Sequence, residues 1–411
     1  MGRAFYGWRI VAVAFLAQAI TIGLTLIPFS LFVTPMVDEF GLPVARIQMG
    51  MGLFTFVMMV VGAGVGALLD RFSIRWIMAG GSLLISLSFL LMSVAVHPWE
   101  LMVLFGVGAA SGVSMAGPLA AGTVIARWFE AKRGFAMGIS AMGPPVGGLL
   151  LTPVAGWLLA DVGWRGVFQI FACVAFVLAP ICLLVIRNSP GDVGQVVDGR
   201  RPEEPGPNTV SDSDEWTALK IVRSPNFWGL ALTLGVVFGL GSGWNANVAR
   251  FGEDLGYSGQ EVSVFMGIGA GLGIPGTLLF GRLADRFAHR TLLWCCIALH
   301  IGAILILWTL PGTVLFAAAL FLFGFSGAGL LPLYGAFIGR LFGPASFGRV
   351  MGLGGIIALP FGSLAPVLIG EMRDGSGSYQ GALLLVATMM VGGAACLAWI
   401  KVPKLAERSA V

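Results

Sequence analysis

The chain has 411 residues, of which 57% are hydrophobic and only 11% are charged. A soluble domain carries about 25% charged residues, so this chain cannot cover a water-facing surface. That excludes a soluble enzyme, a nucleic-acid-binding protein and a disordered chain, and the formal net charge of +4 must be explained inside a membrane protein.

A spanning helix needs about 20 apolar residues, and roughly 34 residues per helix and loop leaves room for about twelve. In chain order the apolar runs cover 8–33, 44–69, 74–95, 99–127, 133–160 and 164–187, then 226–249, 260–280, 291–310, 313–340, 347–370 and 380–401. We number these spans 1 to 12. They are long and continuous, unlike the short alternating strands of a membrane barrel. The 61 glycines and 21 prolines fit as well, since both are commoner in membrane helices than in soluble ones. The first run has no small-residue cleavage site and reads as a span, not a removable leader. Cys173, Cys182, Cys295, Cys296 and Cys396 all fall in apolar runs. They read as small buried side chains, so no disulfide, metal or cofactor is expected.

Between spans 6 and 7, residues 188–222 are rich in Pro, Gly, Asp and Glu and read as a solvated linker. The expected organisation is a six-helix bundle over 1–187, this linker, and a second six-helix bundle over 223–411. The halves repeat. GALLDRFSIR (66–75) returns as GRLADRFAHR (281–290), 215 positions later, and Arg127 falls on Arg340. Such parallel repeats mark a transporter architecture with substrate near the midplane between them. With the N-terminus inside, only Arg46, Arg165, Arg250 and Arg373 of the 24 Lys and Arg lie outside. The positive-inside rule then places both termini and the linker in the cytoplasm, which accounts for the net charge.

Gly66-x-x-x-Asp70-Arg71 after span 2 and Gly281-x-x-x-Asp285-Arg286 after span 8 resemble the loop signature of the major facilitator superfamily. FYGWRIVAVAF (5–15) and ARWFEAKRGFAMGISAMG (126–143) resemble its bacterial monocarboxylate and oxalate–formate branch. The resemblance covers essentially the whole chain. It implies an all-α membrane protein of twelve helices in two pseudo-symmetric six-helix bundles, working by alternating access, with no enzymatic activity. It also implies that the two loop motifs hold the bundles closed in the outward-facing state. Three departures stand out. Ser73 replaces the usual loop Gly, LMVLFGVG (101–108) lacks the antiporter Arg of helix 4, and spans 8 and 11 carry no internal charge. The last argues against proton coupling of the animal monocarboxylate type.

No Asp, Glu or Lys stands in the interior of any span, so the usual intramembrane carboxylate relay is missing. Polar residues become the candidates. Gln18 lies roughly 15 Å along the helix from Trp8, near the midplane, and Thr21 and Thr25 share its face. Ser111 and Ser114 in span 4 and Ser326 in span 10 sit at related depths. In the resembled family spans 1, 4 and 10 line the cavity. The bland alternative is backbone bonding and small-residue packing. The glycine-rich GLGSGWNANVAR (239–250) could unwind and present Asn245 and Asn247 to a ligand. Arg250, at the outer boundary, could steer a carboxylate or pair with Glu253 or Asp254. Tyr334 gates the cavity or anchors at the interface, and GISAMGPPVGG (138–148) reads as a helix bend. His300, in span 9, which is peripheral in that fold, reads as a packing residue. The expected function is transport of a small organic anion, a monocarboxylate, across the inner membrane, with a co-transported proton as a further possible partner and the chain a monomer. The alternatives are efflux of amphipathic drugs and, from another class, a non-transporting sensor.

Overall fold

With no water in the bilayer core, each apolar run must satisfy its own backbone groups, and only helices do so within one segment. The computed structural model describes residues 5–199, 216–284, 286–343 and 346–401. The loop residue Asp285, the side chain of Asp70 and most of the linker lie outside that description. Among the described residues there is no strand.

The first half contains α1 (Gly7–Leu24), α2 (Phe29–Phe40), α3 (Val44–Arg71), α4 (Ile74–Met92), α5 (Pro98–Val103), α6 (Ala110–Ala116), α7 (Pro118–Trp128), α8 (Arg133–Ala141) and α9 (Gly143–Val185). The second contains α10 (Ala218–Arg223), α11 (Pro225–Asn245), α12 (Val248–Asp254), α13 (Gly259–Ala284), α14 (His289–Trp308), α15 (Thr313–Phe342), α16 (Phe347–Ser376) and α17 (Gln380–Cys396).

Among the described residues, eleven helical stretches are long and apolar enough to cross a membrane. One of them, Arg133–Val185, has 53 residues, or about 80 Å of helix against a hydrocarbon core of about 30 Å. It breaks at Gly163, where φ is 68° and ψ is 172°, a backbone that glycine adopts without a Cβ penalty. It therefore crosses twice, giving twelve crossings. Single expected spans also prove to be interrupted. Span 1 breaks between α1 and α2 at Thr25–Pro28, next to a proline that cannot donate. Span 4 carries a π-helical stretch over Leu104–Ala109 and a break at Gly117, before Pro118. The expected bend near 138–148 falls between α8 and α9, ahead of Pro144 and Pro145.

In the first half α9 packs against α1 and α4, and α6 lies against α3 and α4. In the second, α16 packs against α11, α13 and α14 against α15, and α17 against α11 and α14. These are two six-helix bundles joined by three main contacts, α3 with α16, α9 with α13, and α2 with α12. Span 5 thus packs on span 1 as span 11 packs on span 7. Glycine sets both seams. A Cβ at Gly147 of α9 would strike the carbonyl oxygen of Ala19, and one at Gly239 or Gly243 of α11 would lie 2.5 Å from Phe361 or Ala365. The bundle end that carries the chain's N-terminal helix start is tied by side chains: the Tyr6 hydroxyl donates to Val185 O at 2.9 Å, and the Trp128 indole N–H to Arg187 O at 3.0 Å.

Candidate functional site

Among the described residues the two bundles touch most closely toward the end remote from the termini. Along α9 and α13, Gly156 meets Ser263, Gly267 meets Pro153, and Gly271 meets Leu149. Along α3 and α16, Gly370 meets Ala45, Gly52 meets the Ser363 carbonyl, and Gly362 meets Thr55. Nearer the termini end the contacts stop. A Cβ at Gly62, Gly64, Gly66, Gly134, Gly138, Gly281 or Gly352 would meet nothing within 4 Å. The close inter-bundle approaches at glycine positions are therefore gathered away from the termini end among the described residues.

The far end is also pinned by polar contacts across the bundles. The Thr34 hydroxyl donates to Glu253 and accepts from Arg250 Nη1 at 3.3 Å. The backbone N–H of Ala45 donates to Asp374 at 3.0 Å, Gln48 Nε2 to Ala246 O at 2.7 Å, and Asn245 Nδ2 to Leu26 O at 3.3 Å. Arg250 lies within 3.7 Å of Glu253 and 3.5 Å of Asp254, while Arg373 makes two bonds to Asp254 at 3.0 and 3.1 Å. Glu253 stands in α12, outside the spanning stretches. Burial pushes its carboxyl above the ordinary value of 4.5, against the opposing pull of the Thr34 bond and the Arg250 charge.

Within the closed part lies a cavity of about 380 Å³. It is bounded mainly by α11, α13 and α15, with His300 alone reaching in from α14, and the first half contributes Ile27, Pro144 and Pro145. Among the described residues no charged side chain lines it; the polar ones are Ser242, Asn245, His300 and the Trp244 indole. The Trp244 ring is fully buried against Phe251 and Tyr379, and its N–H has no partner. His300 reaches the cavity from α14, although the sequence places it on a peripheral span as a packing residue. Its Nδ1 lies 2.8 Å from Ser326 Oγ, and its ring sits 4.0 Å from that of Phe323.

The residues singled out in the sequence divide between these places. Asn245 lines the cavity and bonds across the bundles; Ser326 supports His300 from behind. Gln18 bonds Ser140 O at 3.1 Å and Ser140 Oγ at 2.5 Å, tying α1 to α8. Thr25 bonds back to Thr21 O at 2.5 Å, and the fully buried Thr21 hydroxyl has no partner. Ser114 donates to Ala110 O and Met58 O, while Ser111 is half-buried beside it. Asn247 is fully buried, donating to Gly243 O and Pro366 O and accepting from the Tyr379 hydroxyl. Arg250 belongs to the far-end network. Tyr334 is buried near the termini end, where its hydroxyl would lie 2.9 Å from a Cβ on Gly354. Of the loop motifs, Arg71 and Arg286 are exposed. Arg127 Nη2 donates to Leu69 O, beside the first motif, at 2.6 Å.

The stretch 239–250 does not unwind where its glycines stand. α11 stays helical to Asn245, because Gly239 and Gly243 are spent on the close approach to α16. The break comes at Ala246–Asn247. The polar partners of Arg250 across the bundles, above all Thr34, carried no sequence signal. Neither did the exposure of His300 to the cavity.

Twelve helices in two like bundles, with an uncharged cavity walled mainly by the second bundle and capped by the first, define a membrane transporter. The chain belongs to the Major Facilitator Superfamily, whose family model matches residues 11–366 and again 276–410. It is 29% identical over 364 residues to an MFS-type efflux pump of Mycolicibacterium smegmatis, covering 84% of this chain and 80% of that protein. It is 25% identical over 408 residues to monocarboxylate transporter 13 of Bos taurus, covering 95% and 88%. The fold is similar to that of a bacterial homolog to the human lysosomal transporter Spinster in an inward-facing and occupied conformation, with a TM-score of 0.74, 18% identity and 97% of each chain covered.

Proposed function

We infer that the chain carries a small organic anion, a monocarboxylate, across the cytoplasmic membrane by rocking 1–187 against 223–411 about the central cavity. One observation carries the reading. The cavity is apolar and uncharged apart from a few neutral polar groups gathered on its second-half wall. Such a chamber suits a ligand with one polar head and an apolar body; a polyanion would have to shed its hydration with no cation to meet it. The full-length likeness to a monocarboxylate transporter supports the same class. The one-sided distribution of Lys and Arg supports termini on the cytoplasmic side, which makes this state open to the cytoplasm and closed outside. The chain works as a monomer, with the second bundle supplying most of the cavity wall and the first closing it with Ile27, Pro144 and Pro145.

The efflux reading is favoured by a different observation. Phe238, Phe323 and Trp244 give the cavity an aromatic lining, and a relative is an efflux pump. Uptake by proteoliposomes separates the two. Saturable uptake of labelled lactate or benzoate, competed by other monocarboxylates and not by succinate, is the expected result. Flux of an amphipathic cation with no acid uptake would replace the monocarboxylate reading with the efflux one.

A further inference from the structure

His300 belongs to a helix that lies outside the ring of cavity-forming helices, yet it is the one readily titratable side chain lining the cavity among the described residues. Two glycines let it through. A Cβ on Gly241 of α11 would lie 3.4 Å from His300 Nε2, and one on Gly327 of α15 would lie 3.2 Å from Cε1. The ring thus occupies a window that only small residues leave open. It is 97% removed from solvent, being 3% exposed.

Its hydrogen-bond chemistry is one-sided. The Ser326 hydroxyl has a single hydrogen, which it donates to Phe323 O at 3.3 Å. We assign the tautomer on that basis: with the hydroxyl hydrogen on Phe323 O, the Ser326 oxygen accepts from His300 Nδ1–H, 2.8 Å away. Fixing the proton on Nδ1 leaves Nε2 as the bare acceptor, and no described residue partners Nε2. The elements packed around α14 are α13, α15 and α17, with Gly241 of α11 across the window. Their charged residues are Glu261 and Arg282 on α13 and Arg340 on α15; α11 and α17 have none, and α14 itself has Arg290. All four stand at helix ends. Arg290, ten residues from His300, is about 15 Å away along the helix.

We propose that His300 Nε2 is the acid-recognition and proton site of the cavity, taking a monocarboxylic acid with an apolar body; this rests on the organic-anion reading above. A carboxylic acid has an ordinary pKa near 4 and arrives at neutral pH as the anion. Neither charge is welcome alone in this chamber. A lone imidazolium or a lone carboxylate there would be desolvated without a counter-charge. Together they form one ion pair: Nε2 takes a proton from water, and Nε2–H then donates to the carboxylate oxygen. On release the proton returns to water from Nε2 and the anion leaves. Each ligand favours the other's binding by the same factor, as linkage requires. Proton and anion therefore travel as a pair without any intramembrane carboxylate.

The test is calorimetric titration of the purified protein with benzoate in two buffers of different ionisation enthalpy, which counts protons taken up per ligand bound. Wild type should take up one proton per benzoate, and infrared difference spectra with 13C-carboxyl benzoate should show the bound ligand as carboxylate. His300→Gln, which keeps a donor of similar reach without a titratable proton, should bind at least tenfold more weakly and take up none. Gly241→Ala sets a methyl in ordinary contact with Nε2. It should weaken binding while keeping the one-proton stoichiometry in whatever binds, which separates loss of access from loss of fold. Proton uptake unchanged in His300→Gln, or a bound ligand seen as the neutral acid, overturns the assignment and leaves the organic-anion reading standing. No binding of benzoate or lactate by wild type overturns both.

Discussion

Glu253 shows how a single side chain can set the balance between states. Its carboxyl is held above 4.5 by burial at the far end, where it accepts from Thr34 of the opposite bundle. When the bundles part there, the carboxyl regains water and its ordinary value. The closed state therefore binds more protons than the open one between 4.5 and the raised value. Closure at the far end is favoured as pH falls through that window and weakened as it rises. Labelling of a cysteine placed on α12, followed against external pH, should show less far-end opening in acid. Glu253→Gln should remove the dependence and favour closure throughout. An unchanged pH profile in that variant would assign the effect to another group. Arg250, a candidate carboxylate-steering residue, works in the same cluster. Its guanidinium is engaged by Glu253 and Asp254, the pairing that its sequence position offered as the alternative to steering, and by Thr34 of the opposite bundle, which the sequence did not disclose.

At the scale of elements, the closed state depends on glycines where α3 crosses α16 and α9 crosses α13. A Cβ on Gly52 would overlap the Ser363 carbonyl, and backbone gives way less readily than a flexible side chain. Gly52→Val should therefore disfavour this closed state while leaving the opposite one, in which α3 and α16 separate there, unburdened. Overpacking costs about 1–3 kcal/mol, enough to shift the populations by about fivefold to more than a hundredfold, read as increased far-end labelling with transport slowed. Labelling equal to wild type would mean that the crossing relaxes without cost. The helices themselves were legible in the sequence. Apolar length, the repeated Asp-Arg loops and the Lys/Arg asymmetry placed all twelve crossings, though the breaks at Thr25–Pro28 and Gly117 split what read as single spans. The site was legible only in part. Asn245 lines the cavity from a helix that stays wound, whereas Asn247, two residues on, is turned to Tyr379 and Pro366. His300 was hidden for a different reason. Its access depends on Gly241 and Gly327, on two other helices, and no periodicity within span 9 can encode what those helices lack.

For the whole molecule, alternating access requires that every far-end contact between bundles be breakable and that breaking them be necessary. Thr34 and Glu253 touch in this state. A Thr34→Cys, Glu253→Cys pair joined by a short bifunctional reagent should hold the far end shut and stop flux. A cleavable reagent should restore flux on reduction, and none of the five native cysteines lies in α2 or α12 to confuse the result. Flux that survives complete cross-linking would rule out a rocking cycle. The uncharged lining of the central chamber has an electrical consequence as well. A membrane potential does about 2.3 kcal/mol of work per 100 mV on each elementary charge moved across. An empty chamber without fixed charge offers it nothing to pull. The return stroke should then run at a rate indifferent to voltage, and with a proton carried beside each anion the loaded stroke would move no net charge either, so that a pH gradient and not the membrane potential would drive accumulation.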